Sequence, residues 1–65
     1  MVRLIKLPEV KSRTGNSKSH IYDLSKKGLF PKPVKLSAHS SAWVESEVDQ
    51  WIDDRIAERD QEAAY

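Results

Sequence analysis

Between Thr14 and Gly28 the sequence gathers amide, hydroxyl and ammonium groups at spacings suited to a phosphate backbone. Asn16, Ser17 and Lys18 stand where a helix would begin. The first turn of a helix has unpaired backbone N–H groups and a partial positive charge, so it meets an anion readily. Lysine can donate to guanine O6 and N7, asparagine can pair with adenine N6 and N7, and serine serves several bases. Ile21 and Leu24, three apart, would form a narrow apolar stripe. With that stripe inward, Lys18, Ser19, Tyr22, Ser25 and Lys26 point partly or wholly outward. The Tyr22 phenol can donate to a phosphate oxygen. Lys26 and Lys27 close the segment, where the helix dipole favours cations. A plain solvated helix, with Asn16 and Ser17 as its caps, would account for the small polar residues equally well. It accounts poorly for the charge.

The net charge of the 65 residues is only +1. Residues 1–36 nevertheless hold nine lysines and arginines against Glu9 and Asp23, a charge of +7. Residues 37–65 hold Arg55 and Arg59 against eight acids, a charge of −6. One half is suited to a polyanion and the other is repelled by one. A second polar group, Lys32, Lys35, Ser37, His39 and Ser40, surrounds an expected turn. It could straddle a backbone or reach into a minor groove, with His39 donating most strongly when protonated. A merely polar loop fits the same residues.

Other chemistries find less support. Acids at 45, 47, 49, 53, 54 and 58 fall on one expected helix of a chain too short to bury them, so nothing tunes them for acid–base work. Serine, histidine and aspartate are present without an elbow or a pocket. The two glycines are isolated, which rules out a phosphate loop. There is no cysteine, hence no disulfide and no thiolate metal site, and two histidines nineteen apart make a poor one. No metal and no cofactor is expected, and the chain reads as a non-enzyme. Its longest apolar run is two residues, as at Leu4-Ile5, so no membrane span or signal peptide is expected. A cytoplasmic location follows as the expectation.

The elements that would carry these residues can be read in order. Residues 1–6 alternate loosely, as a short strand or an extended arm. Pro8 suits the first turn of a helix and Glu9 complements its dipole. That helix runs from Pro8 to Arg13 and ends at Gly15, a natural left-handed residue. Ser17 caps a second helix, from 17 to 27, which Gly28 stops. Leu29 and Phe30 then turn into the core. Pro31 and Pro33 exclude helix. Val34 and Leu36 flank Lys35 as in a half-buried strand, residues 37–41 form the turn, and Ala42-Trp43-Val44 form a second strand. Ser46-Glu47-Val48-Asp49 has a capping pattern and opens a third helix, 46–60. Val48, Trp51, Ile52 and Ile56 give it an apolar stripe, so Trp51 reads as core rather than as a base-stacking platform, and Trp43 likewise. Residues 61–65 are expected to fray. The result is one small α+β domain over residues 1–65, mostly helical. It is a winged helix-turn-helix, with a β-hairpin wing and a C-terminal helix.

These residues resemble a known family. Arg3-Leu4, Leu7-Pro8-Glu9-Val10, Thr14-Gly15, Ser17, Ile21-Tyr22, Lys27-Gly28 and Phe30-Pro31-Lys32-Pro33-Val34-Lys35-Leu36 carry the first part of the likeness. Trp43 and Ser46-Glu47-Val48 with Trp51 complete it. Together they are similar to the AlpA family of phage and prophage transcriptional regulators, related to excisionases and to the DNA-binding head of MerR-type proteins. The likeness covers residues 3–57. It implies that helix 17–27 reads the major groove of double-stranded DNA and that residues 37–41 are the wing. It implies regulation of mobile-element genes, or assistance to a phage integrase as an excisionase-like directionality factor that bends DNA. Asn16, Ser17, Lys18, Ser19, Tyr22, Lys26, Lys27, Lys35, His39 and Ser40 are the expected contacts. The family usually has glycine near 37 and arginine at 39–40. Ser37, His39 and Ser40 stand there in this sequence, so a weaker wing is expected. No heptad extension supports a coiled-coil dimer, which leaves a free monomer binding DNA cooperatively. A reading of another class makes the acidic helix 46–60 a protein-docking surface.

Overall fold

A computed structural model describes residues 1–62. The chain runs β1 (Leu4–Ile5), α1 (Leu7–Thr14), α2 (Lys18–Lys26), β2 (Val34–Ser37), β3 (Ser40–Val44) and α3 (Glu45–Glu62). The three strands form one antiparallel sheet in the order β1-β3-β2. Ile5 stands opposite Trp43, and Val34 opposite Ala42. Three helices with a small sheet and a hairpin make the expected winged helix-turn-helix.

Local chemistry explains where the helices start and stop. Pro8 lies in the first turn of α1, where its missing N–H costs nothing. Gly15 ends α1 at φ 72°, and its N–H donates to the Lys11 carbonyl at 2.8 Å. A Cβ there would meet nothing within 4 Å, so glycine is required by the backbone and not by space. The Thr14 hydroxyl donates to the Val10 carbonyl at 2.8 Å and accepts the Asn16 N–H at 3.3 Å. Ser17 caps α2 by accepting the His20 N–H at 3.2 Å. Gly28, at φ 75°, closes α2, and the Leu29 N–H reaches back to the Leu24 carbonyl at 2.9 Å.

The core is small and centred on Trp43. Ile5, Val10, Ile21, Phe30, Ala42, Trp43 and Val48 are buried, with Leu7, Leu24, Trp51 and Ile52 packed around them. Every element but β2 therefore contributes to a single cluster, with α3 giving the most side chains: Val48, Trp51 and Ile52. The loop at Pro31 is tied to it by one carbonyl. The Pro31 oxygen accepts both the Ser25 hydroxyl and the Trp43 indole N–H, each at 3.1 Å. Among the described residues no buried side-chain polar atom lacks a partner.

Several expectations need correction. The N-terminal segment pairs with β3 only at Leu4 and Ile5, and the Glu45 N–H adds a bond to the Arg3 carbonyl at 2.8 Å. Ile5 faces the core, while Leu4 is 41% exposed. Leu29 does not enter the core with Phe30; it stays 60% exposed, because the chain reverses at Gly28 and turns only Phe30 inward. β2 is not half-buried. All four of its residues are exposed, since it is an edge strand and no helix covers its outer face. The wing turn is tighter than residues 37–41. Ser37 pairs with Ser40, leaving Ala38 and His39 as the two turn residues, with an irregular register between Lys35 and Ser37. Ser46 does not stand outside the helix as a cap. β3 runs directly into α3 at Glu45, which puts Ser46 one residue inside. Finally, α3 runs on through Gln61 and Glu62, two residues past the expected end of the helix; residues 63–65 lie outside the described part.

Candidate nucleic-acid interface

The outer face of α2 is built by helical spacing. Lys18, Tyr22 and Lys26 are four apart and so fall in one row; Ser19 and Asp23 form the row beside it. Ile21 is fully buried on the opposite side, which orients both rows towards solvent. Lys18, Ser19 and Lys26 are exposed and Asn16 is half-buried in the turn before the helix. Ser17 is exposed but its hydroxyl is engaged as the cap. Tyr22 has two roles in the structure. Its ring edge packs on Trp43 with centroids 5.7 Å apart, yet the residue is 39% exposed. The core thus fixes the ring of a residue that still meets solvent.

Ser25 is the clearest departure on this helix. It was expected to face outward, but it is buried and donates to Pro31. Its small size lets the loop after α2 approach the helix. That approach brings Lys32 beside Tyr22 and Lys26, and the three line one cleft together with Asp23, Ser25 and Pro33. Lys32 was grouped with the wing in the sequence; the structure puts it against α2. At the wing, Lys35 and His39 are exposed. Ser40 accepts a hydrogen bond from the Lys6 ammonium at 2.6 Å, which draws a cation from the N-terminal segment to the hairpin. Lys6 in this position, and His20 exposed in the first turn of α2, were not among the expected contacts. The alternation of residues 1–6 held the only signal for Lys6. His20 at the fourth position from the Ser17 cap could have been found from helical spacing.

Ion pairs redistribute the charge that composition assigns to the first half. Arg13 donates to Glu9 at 2.9 Å, to Glu45 at 2.8 Å and to Asp49 at 3.0 Å. Bonds to Glu45, then Glu9, hold its guanidinium above its usual range against the cost of desolvation, and Asp49 adds to them. Lys27 pairs with Asp23 at 3.0 Å, and Arg3 lies 3.6 Å from Glu45. Six lysines, at 6, 11, 18, 26, 32 and 35, have no ion-pair partner among the described residues. The available positive charge is therefore on lysine side chains, three of them at the α2 face. On α3, Arg55 and Arg59 are paired with Glu58 and Asp60, which leaves that helix acidic.

Comparison with known proteins follows the same outline. The family described as prophage CP4-57 regulatory protein (AlpA) matches residues 3–56, which takes in every element from β1 to the middle of α3. The chain belongs to the AlpA family. A protein of Enterobacteria phage P4, ORF88, is 46% identical over 57 residues, covering 88% of this chain and 65% of its own length. The chain thus spans just under two thirds of that phage relative. The DNA-binding transcriptional activator AlpA of Escherichia coli K12 is 38% identical over 60 residues, covering 83% of this chain and 86% of its own length. The AlpA match ends inside α3, so the last turns of that helix lie beyond the shared part. No helix among the described residues is long and apolar enough to cross a membrane.

Proposed function

We propose that this AlpA-family protein is a double-stranded DNA-binding transcriptional regulator of phage or prophage genes. α2 enters the major groove, and the hairpin of β2 and β3 is the wing that lies beside it. The observation that carries this reading is the row of Lys18, Tyr22 and Lys26 on α2, free of ion pairs and joined by Lys32. A helix whose core-facing side is fixed by Ile21 presents that row to a groove without any rearrangement. The relative in Escherichia coli, called a DNA-binding transcriptional activator, supports the same reading. Asn16, Ser19 and Lys18 at the N-terminal end are placed for base edges. Lys26, Lys32 and the Tyr22 hydroxyl are placed for phosphates, as are Lys35, His39 and the Lys6–Ser40 pair on the wing side. Ser17 contributes by holding the helix start, and Lys27 only after leaving Asp23.

The testing experiment is a titration of isotope-labelled protein with a mixed-sequence duplex at low salt, following every backbone amide. The expected result is a set of shifts at residues 14–27, 32 and 35–40 that added salt reverses. Shifts confined to α3, or none at all, would overturn the assignment.

A further inference from the structure

A second cleft shares only Lys32 with the reading above. It lies between the connection after α2 and the first half of α3, and the side chains of Leu29, Phe30, Val34 and Trp51 give it an apolar floor. Leu29 is 60% exposed and Val34 39% exposed, and no element among the described residues covers them. Polar needs inside the cleft are already met: the Trp51 indole donates to the Leu29 carbonyl at 2.8 Å. Phe30 meets the Trp51 ring edge-on at 4.9 Å, so the floor is held by the core. Along the α3 side stand Glu47 and Asp54. Neither has an ion-pair partner among the described residues, and Asp54 only accepts a bond from Gln50 at 3.0 Å. Lys32, from the connection after α2, also lines the cleft.

Those two kinds of surface select one partner. Glu47 and Asp54 make no ion pair and outnumber the one cation in the lining, Lys32, so the α3 side of the cleft repels a phosphate backbone. Apolar side chains held open next to such carboxylates suit an amphipathic protein segment with apolar residues in the cleft and Lys or Arg over α3. We infer that the cleft between residues 28–34 and α3 is a docking site for an apolar, basic segment of another protein. Such a segment would gain apolar burial on Leu29 and Trp51 and charge pairing with Glu47 and Asp54. Because the cleft is separate from the outer row of α2, a docked partner would leave that row free.

The test uses the full chain, isotope-labelled, and three synthetic fourteen-residue peptides. One alternates leucine and lysine at helical spacing; in the second every leucine is serine; in the third every lysine is glutamate. The first is expected to shift the amides of Leu29, Phe30, Val34, Gln50 and Trp51. The double substitution Glu47→Lys with Asp54→Lys should weaken it at least tenfold, and Leu29→Ser alone should weaken it severalfold. All these positions but Trp51 and Phe30 are exposed, so the variants keep the fold, which unchanged amide spectra elsewhere would verify. Equal binding of the serine–lysine peptide would reduce the effect to bulk charge and overturn the inference. So would preference for the leucine–glutamate peptide, or no binding of any of the three. Concentration-dependent shifts at these same residues without peptide would assign the cleft to a second copy of the chain, and overturn it as well.

Discussion

Lys18 and Tyr22 separate contact from stability at the level of single residues. Lys18 is exposed and makes no ion pair, so Lys18→Ala should leave the urea midpoint unchanged and weaken duplex binding about tenfold at low salt. Tyr22→Phe keeps the ring against Trp43 and removes only the hydroxyl; a severalfold loss of affinity with unchanged stability is expected from the same two measurements. The tryptophans divide in the opposite way. Trp43 is fully buried, and Trp43→Ala should cost about 3–5 kcal/mol in urea unfolding. That approaches the whole stability of a domain this size, roughly 3–10 kcal/mol. Trp51 is only half-buried and should cost about half as much as Trp43. The sequence made the two look alike, because helical spacing gives a stripe but not how much of the stripe is covered. Ser25 differs: it stands four residues after Ile21, so helical spacing already puts it in the buried row, and what the sequence hid was the Pro31 carbonyl, six residues later, that satisfies its hydroxyl.

Elements are joined in this protein by a charge cluster as well as by the core. Arg13, in the last turn of α1, binds Glu9 on its own helix and Glu45 and Asp49 on α3. α1 is short, and a helix of eight residues has little stability of its own. Its position against α3 therefore depends on Val10 in the core and on Arg13 at the edge. Arg13→Ala should lower the urea midpoint, and Arg13→Lys should not restore it, since an ammonium cannot hold three carboxylates in a planar fork. The raised folded-state value of Arg13 means that its contribution is present below its unfolded value and is lost only at more alkaline pH, as pH rises through the folded one. The destabilisation should therefore show no pH dependence from Arg13 itself between pH 6 and 9. Equal midpoints for wild type and Arg13→Ala would refute the coupling. Helix starts and stops were legible beforehand, because Pro8, Gly15, Ser17 and Gly28 act through their own backbone geometry. β1 was legible only as a short strand or an extended arm within residues 1–6, because a pairing of two residues is too short to say which of them pair. Leu29 was misjudged for a related reason: a left-handed glycine fixes a reversal but not which of the next two side chains it turns inward.

At the scale of the whole molecule, the charge split decides how binding should depend on salt. Composition assigns nine cations to the first 36 residues, and if all nine neutralised phosphates the slope of log K against log salt would be about −8. The structure reduces that number. Arg13 is committed to three carboxylates, Lys27 would first have to leave Asp23, and Arg3 faces Glu45. Six lysines are left, of which Lys18, Lys26 and Lys32 share the α2 face, Lys6 and Lys35 accompany the hairpin, and Lys11 lies on α1. With five or six engaged, the slope should be about −5. It should become shallower by about one unit for each of Lys18→Ala, Lys26→Ala and Lys32→Ala, and not change for Arg13→Ala once the variant is shown to be folded. A slope near −8 would mean that the ion pairs open on DNA and that Arg13 is a contact. A slope near zero would mean that phosphates are not what the basic half meets. The acidic half sets the other limit. α3 keeps a surplus of carboxylates, which a duplex wrapped around the domain would have to approach. On the proposed reading the footprint of one copy would be confined to the α2 and hairpin side, and duplexes longer than that footprint should bind further copies without changing the slope per copy.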